Sequence, residues 1–205
     1  MLLVGNDKEI IQDLKTQLSS KFDMKDLGAA NYILGMEIKR DRSKRKLWLN
    51  QRKYVETILQ RFNMQDSKLV KVPIPVGVRL STEQCPKTQE EEEDMSRVPY
   101  ASAVGSLMYA MVCTRLDIAH AVGVLSRFMS KLGKEHWKTV KRVFIYLRGT
   151  NDYGLCYQGR PGLEKVFDIC GFVDVDWARY LDHRRSTSGY VFNLFGDAVS
   201  WRIKR

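Results

Sequence analysis

Asp174 and Asp176 are the residues of this chain best placed to do chemistry. They lie in Gly171-Phe172-Val173-Asp174-Val175-Asp176-Trp177-Ala178, where apolar and β-branched neighbours predict a strand. Strand alternation puts both carboxylates on one face. Carboxylate oxygens suit a hard cation, and a rigid strand holds them in place. Asp174 is the first choice as a metal ligand and Asp176 the second. Chemistry by two metal ions needs several carboxylates from separate elements, which keep the ions ~4 Å apart. This stretch supplies the start of such a set. A lone Asp near a strand end also serves as a turn or cap residue, and that use stays open here.

Other candidate groups point elsewhere. Ser186-Thr187-Ser188 offers hydroxyls near Asp174 but no suitably placed His and acid, which argues against acyl transfer. Cys85, Cys113, Cys156 and Cys170 form no Cys-x-x-Cys pair, and His120, His136 and His183 do not complete metal-ligand spacing around them. Reduced thiols that pack as small hydrophobes are expected. Net charge is +10, unevenly spread. Lys39-Arg40-Asp41-Arg42-Ser43-Lys44-Arg45-Lys46 carries six cations and one anion, whereas Glu90-Glu91-Glu92-Glu93-Asp94 is wholly acidic. Lys39, Arg40, Lys44, Arg45 and Lys46 are candidate phosphate contacts that read no base sequence. Lys138, Lys141 and Arg142, with Arg148, recur at helical spacing and make a second phosphate-facing stripe. A merely solvated basic turn remains the competing explanation for the first cluster. Trp48 and Trp137 are expected to pack rather than bind, and nothing favours His136 as a catalyst over a surface cap.

The elements that must position these groups follow from periodicity. Residues 1–5 predict an apolar strand. Asn6, with Glu9 three residues on, predicts a helix cap ahead of Ile10, Ile11, Leu14, Leu18 and Phe22. Residues 32–38 and 46–49 predict two strands joined by the basic turn, and Tyr54, Val55, Ile58, Leu59 and Phe62 a short helix. Pro73, Pro75, Pro86 and the acidic run predict a poorly structured linker within 66–98, dividing two loosely coupled units. Tyr100–Met111 predicts a helix. Thr114, with Asp117 at the box position, predicts the cap of a second. A third starts near Glu135 and ends at Gly149. Strands are expected at 155–157, 167–174, 188–195 and 197–201, the last three as an antiparallel meander in which Phe172, Tyr190, Phe192 and Trp201 have too few partners within the segment. No apolar run approaches a membrane span, and residues 1–5 are too short for a signal peptide. The expectation is an intracellular protein with no membrane association, cytoplasmic or nuclear left open.

These segments together resemble the polymerase region of copia-type LTR retrotransposons. The resemblance rests on Phe22-Asp23-Met24-Lys25-Asp26-Leu27-Gly28, Ile33-Leu34-Gly35-Met36-Glu37-Ile38 and Pro99-Tyr100-Ala101-Ser102-Ala103-Val104-Gly105-Ser106-Leu107-Met108-Tyr109. It continues through Thr114-Arg115-Leu116-Asp117-Ile118, His136-Trp137, Tyr146-Leu147-Arg148-Gly149-Thr150 and the strand of Asp174. Seven blocks in order leave chance little room. The resemblance implies an α+β chain: residues 1–70 as the end of a reverse transcriptase palm and start of its thumb, 71–98 as linker, 99–150 as helical thumb or connection, and 151–205 as the first part of a ribonuclease H-like domain. It implies that Asp174 matches a carboxylate bridging two Mg²⁺ ions. It also implies that the hairpin holds a primer end and that RNA, DNA or their hybrid is the partner. In that family the first strand follows a Tyr-x-Asp-Asp turn that binds the polymerase metals, so both that turn and most ribonuclease H carboxylates are expected to be missing. Leu116 replaces a usual Pro, and Arg179-Tyr180 a usual Gly-Asp. The expected function is a fragment of a polymerase and ribonuclease H polyprotein, inactive alone. The alternatives are a non-catalytic nucleic-acid-binding module or a functionless relic.

Overall fold

The computed structural model describes residues 1–159, 169–176 and 186–204. Its first helix, α1 (Lys8–Lys21), starts at Asp7, whose carboxylate accepts hydrogen bonds from the Glu9 and Ile10 amides at 2.8 and 3.3 Å. The cap is thus one residue later than Asn6, because from Asp7 the side chain reaches two free amides and its charge complements the helix end. No residue of α1 is buried, and Ile10 and Leu14 face solvent. Residues 1–5 do not form the expected strand. A strand needs a neighbour to satisfy its amides and carbonyls, and no described segment pairs with these.

Two antiparallel sheets and a helical core make this a mixed α+β chain. The first sheet contains β1 (Tyr32–Ile33), β2 (Met36–Asp41), β3 (Lys46–Asn50) and β4 (Gly154–Gln158), in that spatial order. The hairpin of β2 and β3 is local, whereas β4 arrives from more than a hundred residues away and sets Leu155 beside Leu49 and Cys156 beside Trp48. Register lines Ile38, Leu49 and Leu155 on one face, and Leu155 is buried. Gly154 is required at this join, since a Cβ there would lie 2.3 Å from the Leu49 carbonyl oxygen.

Helix α2 (Arg52–Arg61) buries Val55, Ile58 and Leu59. They pack with Val104 and Leu107 of α4 (Tyr100–Cys113), Ala121 and Leu125 of α5 (Ala119–Leu125), and Val140, Phe144 and Leu147 of α6 (Lys134–Gly149). Each of the larger side chains here, from Val to Phe, contributes about 1.5–3 kcal/mol by leaving water. Elements from both sides of residues 71–98 therefore share one core. The acidic run, expected as solvated linker, is instead helical: α3 (Gln89–Ser96) is capped by the Thr88 hydroxyl at 3.3 Å from the Glu91 amide. Met95 anchors it by burial, and Leu80 and Ser81 are buried as well. Thr114 also differs from expectation. It closes α4 rather than opening the next helix, and a short 3₁₀ turn over Leu116–Ile118 leads into α5. Gly133 caps α6 so close to the 3₁₀ turn Thr82–Gln84 that a Cβ would lie 1.8 Å from the Gln84 carbonyl oxygen.

The second sheet is the expected meander of β5 (Ile169–Asp176), β6 (Thr187–Leu194) and β7 (Asp197–Lys204). Expected residues 167 and 168 lie outside the described residues. Phe195 and Gly196, with φ of 53° and 93°, make the two-residue turn between β6 and β7. The Asp197 carboxylate accepts from the Cys156 amide at 2.6 Å, and the Tyr157 hydroxyl donates to the Ala198 carbonyl at 2.6 Å, joining the sheets. Trp201, expected to have too few partners within its own segment, finds one outside it: it is half-buried and donates its indole N–H to the Met111 carbonyl at 3.1 Å. Phe172, Val173, Tyr190 and Phe192 remain substantially exposed.

Candidate functional site

The basic hairpin is built around a turn that Asp41 organises. Its carboxylate accepts from the Ser43 hydroxyl at 2.6 Å and the Lys44 amide at 3.0 Å, and the Lys44 ammonium stands 3.9 Å away. The Ser43 hydroxyl first, and then the Lys44 amide, hold the Asp41 carboxyl below its ordinary value. This turn leaves Lys44 and Arg45 exposed at the tip. Lys39 pairs with Trp48 across the hairpin, and Lys46 lies two residues before Trp48. Their ammonium nitrogens sit 5.7 and 5.8 Å from the Trp48 ring centroid, within cation–π range. Trp48 is half-buried between them. The structure thus brings Lys39 and Lys46 together, while Arg40 belongs by register to the opposite face with Ile38 and Leu47.

A second basic surface runs along α6. Lys138, Lys141 and Arg142 line a groove of about 480 Å³ together with Met64, Pro75 and Val78 from the segment after α2. Lys138 is 3.6 Å from Glu135, and Lys134 is 3.7 Å from Asp94 of α3. Arg148 is taken out of the stripe, since its guanidinium donates to the Ser67 carbonyl. His136 is buried rather than a surface cap: its Nδ1 accepts from the Gly133 amide at 2.8 Å and its ring stacks on Phe128 at 3.9 Å. Trp137 packs against the core as expected.

Asp174 sits within β5 opposite Gly189 and lines a cleft of about 610 Å³ with Phe172, Thr187, Trp201, Leu116 and His120. Its carboxylate has no hydrogen-bond or ion-pair partner among the described residues. Asp176 pairs with Thr187 along the backbone. Among the described residues, no group of three or more His, Cys, Asp or Glu side chains could hold a metal ion. The donor set among the described residues therefore does not fit a two-ion site. His183 and the departures Arg179 and Tyr180 lie outside the described residues.

The most elaborate polar constellation was not singled out from sequence. Arg115, 1% exposed, donates from Nε and Nη2 to the two oxygens of Asp117 at 2.9 and 2.7 Å. Its remaining donors reach the Thr150 carbonyl at 2.9 Å and the Thr150 hydroxyl at 2.5 Å. Tyr146 donates to Asp117 at 2.9 Å, and burial first, then the Asp117 charge, raises the Tyr146 hydroxyl above its ordinary value. Beside it the Thr114 hydroxyl donates to the buried Gln51 side chain at 2.8 Å. The signal was present as two sequence blocks, Thr114-Arg115-x-Asp117 and Tyr146-x-x-x-Thr150. Their residues meet across the junction of α4 and α6 and make a structural brace, not an exposed site.

Comparison with known proteins identifies what these blocks belong to. The reverse transcriptase (RNA-dependent DNA polymerase) family matches residues 1–76. The Retrovirus-related Pol polyprotein from transposon TNT 1-94 of Nicotiana tabacum is 54% identical over 204 residues, covering the whole chain. An uncharacterized mitochondrial protein of Arabidopsis thaliana is 35% identical over 207 residues, and the chain covers 80% of it. The chain belongs to the copia-type Pol polyproteins. It spans 15% of the tobacco polyprotein's length. A secreted RxLR effector protein of Plasmopara viticola is 52% identical over 111 residues, which is 54% of this chain and 75% of that protein. No solved structure matches this Pol segment. No helix among the described residues is long and apolar enough to cross a membrane.

Proposed function

We propose that this Pol segment holds nucleic acid for a reverse transcriptase and ribonuclease H polyprotein and carries out neither reaction alone. The observation that carries this reading is the pair Lys39 and Lys46 flanking Trp48 on one face of the hairpin, with Lys44 and Arg45 exposed at its tip. Cations contact phosphates and release counterions without reading bases. RNA, DNA or their hybrid is the partner, bound inside the cell. In this reading residues 1–70 correspond to the end of the palm and start of the thumb. Residues 71–98 link them to the helical thumb or connection, 99–150, and 151–205 begin the ribonuclease H-like domain. These are correspondences to the family, compatible with a single shared core.

Asp174, with Asp176 as second choice, is the proposed counterpart of the strand-borne ribonuclease H carboxylate. In the whole polyprotein Mg²⁺ would supply charge stabilisation at the reacting phosphate. Because the described donor set does not fit two ions, no step is assigned to the metal here. The test of the interface is the triple substitution of Lys44, Arg45 and Lys46 by Ala. Affinity for single-stranded DNA and for an RNA–DNA hybrid should fall to a similar degree, and the salt slope should flatten by roughly one per lost phosphate contact. Unchanged affinity and slope would remove the hairpin from the interface.

A further inference from the structure

The tryptophans among the described residues are used in different ways. Trp137 packs on the helical core, and Trp201 donates its indole N–H to the Met111 carbonyl. Trp48 does neither. It is half-buried but is not among the side chains that pack on that core, and its indole N–H has no hydrogen-bond partner among the described residues. That N–H is not shut away from water either. Register explains the position. Ile38, Leu49 and the buried Leu155 share the inner face of the sheet. Trp48 therefore stands on the outer face, between Lys39 of β2 and Cys156 of β4, two residues along its strand from Lys46. The ring's near neighbours there are the two ammonium groups, 5.7 and 5.8 Å from its centroid.

We infer that Trp48 is a stacking platform for an unpaired base, which gives the hairpin a contact with single-stranded nucleic acid that a duplex does not receive. This rests on the nucleic-acid reading above and sharpens it by naming the substrate class. Magnitudes favour the exchange. A cation over an exposed aromatic ring contributes about two- to fivefold to an equilibrium. A base stacked on such a ring contributes roughly fivefold to a hundredfold. The ammoniums are displaced at little loss, because each sits on a flexible stem and trades the ring for a phosphate of the same strand. Every base has a π-face, so the platform is indifferent to sequence. A base inside a duplex is already stacked on its neighbours and reaches the ring only by unpairing. Lys39 and Lys46 thus hold any nucleic acid, and the ring adds affinity for unpaired bases alone.

Two oligonucleotides of equal length separate a base contact from a phosphate contact: an oligothymidylate, and an abasic strand with the same phosphates and no bases. Binding of both, and of an RNA–DNA hybrid, is measured across salt for the wild-type chain, Trp48→Phe, Trp48→Leu and Lys39→Ala. Leucine keeps an apolar body on the sheet without a π-face. The wild type should prefer oligothymidylate to the abasic strand by roughly tenfold. Trp48→Leu should erase that preference while leaving the abasic and hybrid affinities and the salt slope in place, and Trp48→Phe should keep most of it. Lys39→Ala should weaken all three ligands and flatten the slope by about one. Tryptophan emission gives a second readout: oligothymidylate should quench it, the abasic strand should not, and the quench should shrink in Trp48→Phe. Equal wild-type affinity for the two strands refutes the platform and leaves the charged hairpin as the interface. A loss in Trp48→Leu that is the same for all three ligands also refutes it, making Trp48 a strut that shapes the hairpin. If the wild type binds none of the three at low salt, the nucleic-acid reading falls and the platform falls with it.

Discussion

Asp117 and Asp174 are both carboxylates set beside apolar surface, and the chain treats them in opposite ways. In the helical core Asp117 takes three hydrogen bonds, two from Arg115 and one from Tyr146. In the sheet of β5–β7 Asp174 lines an open cleft and has no partner among the described residues. The same contrast holds for apolar groups. Leu107, Val104, Phe144 and Leu147 are wholly enclosed, while Phe172 and Val173 are 58% and 76% exposed. The core uses its polar groups to hold itself together, and the sheet keeps its carboxylate available. A family block therefore signals different things in the two regions: bracing in Thr114–Asp117 and Tyr146–Thr150, and in the strand of Asp174 a carboxylate without a partner among the described residues.

The sharpest way to break this comparison is to neutralise each carboxylate in turn. Asp117→Asn leaves the enclosed Arg115 cation without its ion-pair partner and should cost about 2–3 kcal/mol, the partial exposure of Asp117 keeping it at or below the low end for buried pairs. Asp174→Asn should change stability by no more than about 0.5 kcal/mol. Urea unfolding reads both, and equal losses would show that the sheet carboxylate is also structural.

Alkaline pH should separate the regions next. Burial, then the Asp197 charge, pushes the Tyr157 hydroxyl up to about 12. A folded-state value raised above the ordinary 10 contributes stability that is complete below pH 10 and is lost as pH climbs through about 12. Ionised Tyr157 can no longer donate to Ala198, so the junction between the sheets should weaken first. Tyr100, whose hydroxyl burial raises further and which donates to the Leu125 carbonyl, holds the core longer. Tyrosinate absorbance followed with far-ultraviolet circular dichroism should show a step near pH 12 before helix is lost, and Tyr157→Phe should lower the amplitude of that step. Helix loss coincident with it would argue for one cooperative unit.

The smallest expected effect concerns the tether between regions. Trp201→Phe removes the indole donor to Met111 and should cost about 1 kcal/mol. Hydrogen exchange should quicken in β7 while α4 and α6 keep their protection. Faster exchange in α4 as well would mean that the sheet supports the core.

Where apolar spacing was strong, the fold was legible: α2, α4, α6, the β2–β3 hairpin and the meander all follow from it. The misses have local causes. Glu90–Asp94 shows no apolar period, yet glutamate favours helix, and one cap at Thr88 with one anchor at Met95 suffices. Residues 1–5 have a strand's composition, but pairing rather than composition makes a strand. Thr114 fits a helix start by type, and its donation to Gln51, distant in sequence, was invisible to any local pattern. The same limit applies to the sites. The basic clusters could be read as charge, but that Arg40 turns away, Arg148 is consumed by Ser67 and Arg142 shuts its Nε from water depends on tertiary neighbours.

Gly133 and Gly154 are positions at which this fold leaves no room for a side chain. At each, any side chain would overlap a carbonyl oxygen, at 1.8 Å from Gln84 and 2.3 Å from Leu49. Every codon change that replaces either glycine is therefore a folding lesion, whatever the chemistry of the newcomer. Sequence change at these two positions should therefore report on whether the fold is still required. In related sequences selected for a folded product, both glycines are expected to persist while surface residues diverge. In sequences that merely drift, they are expected to be lost at the same pace as their neighbours, so two codons would gauge whether a sequence still encodes a foldable protein.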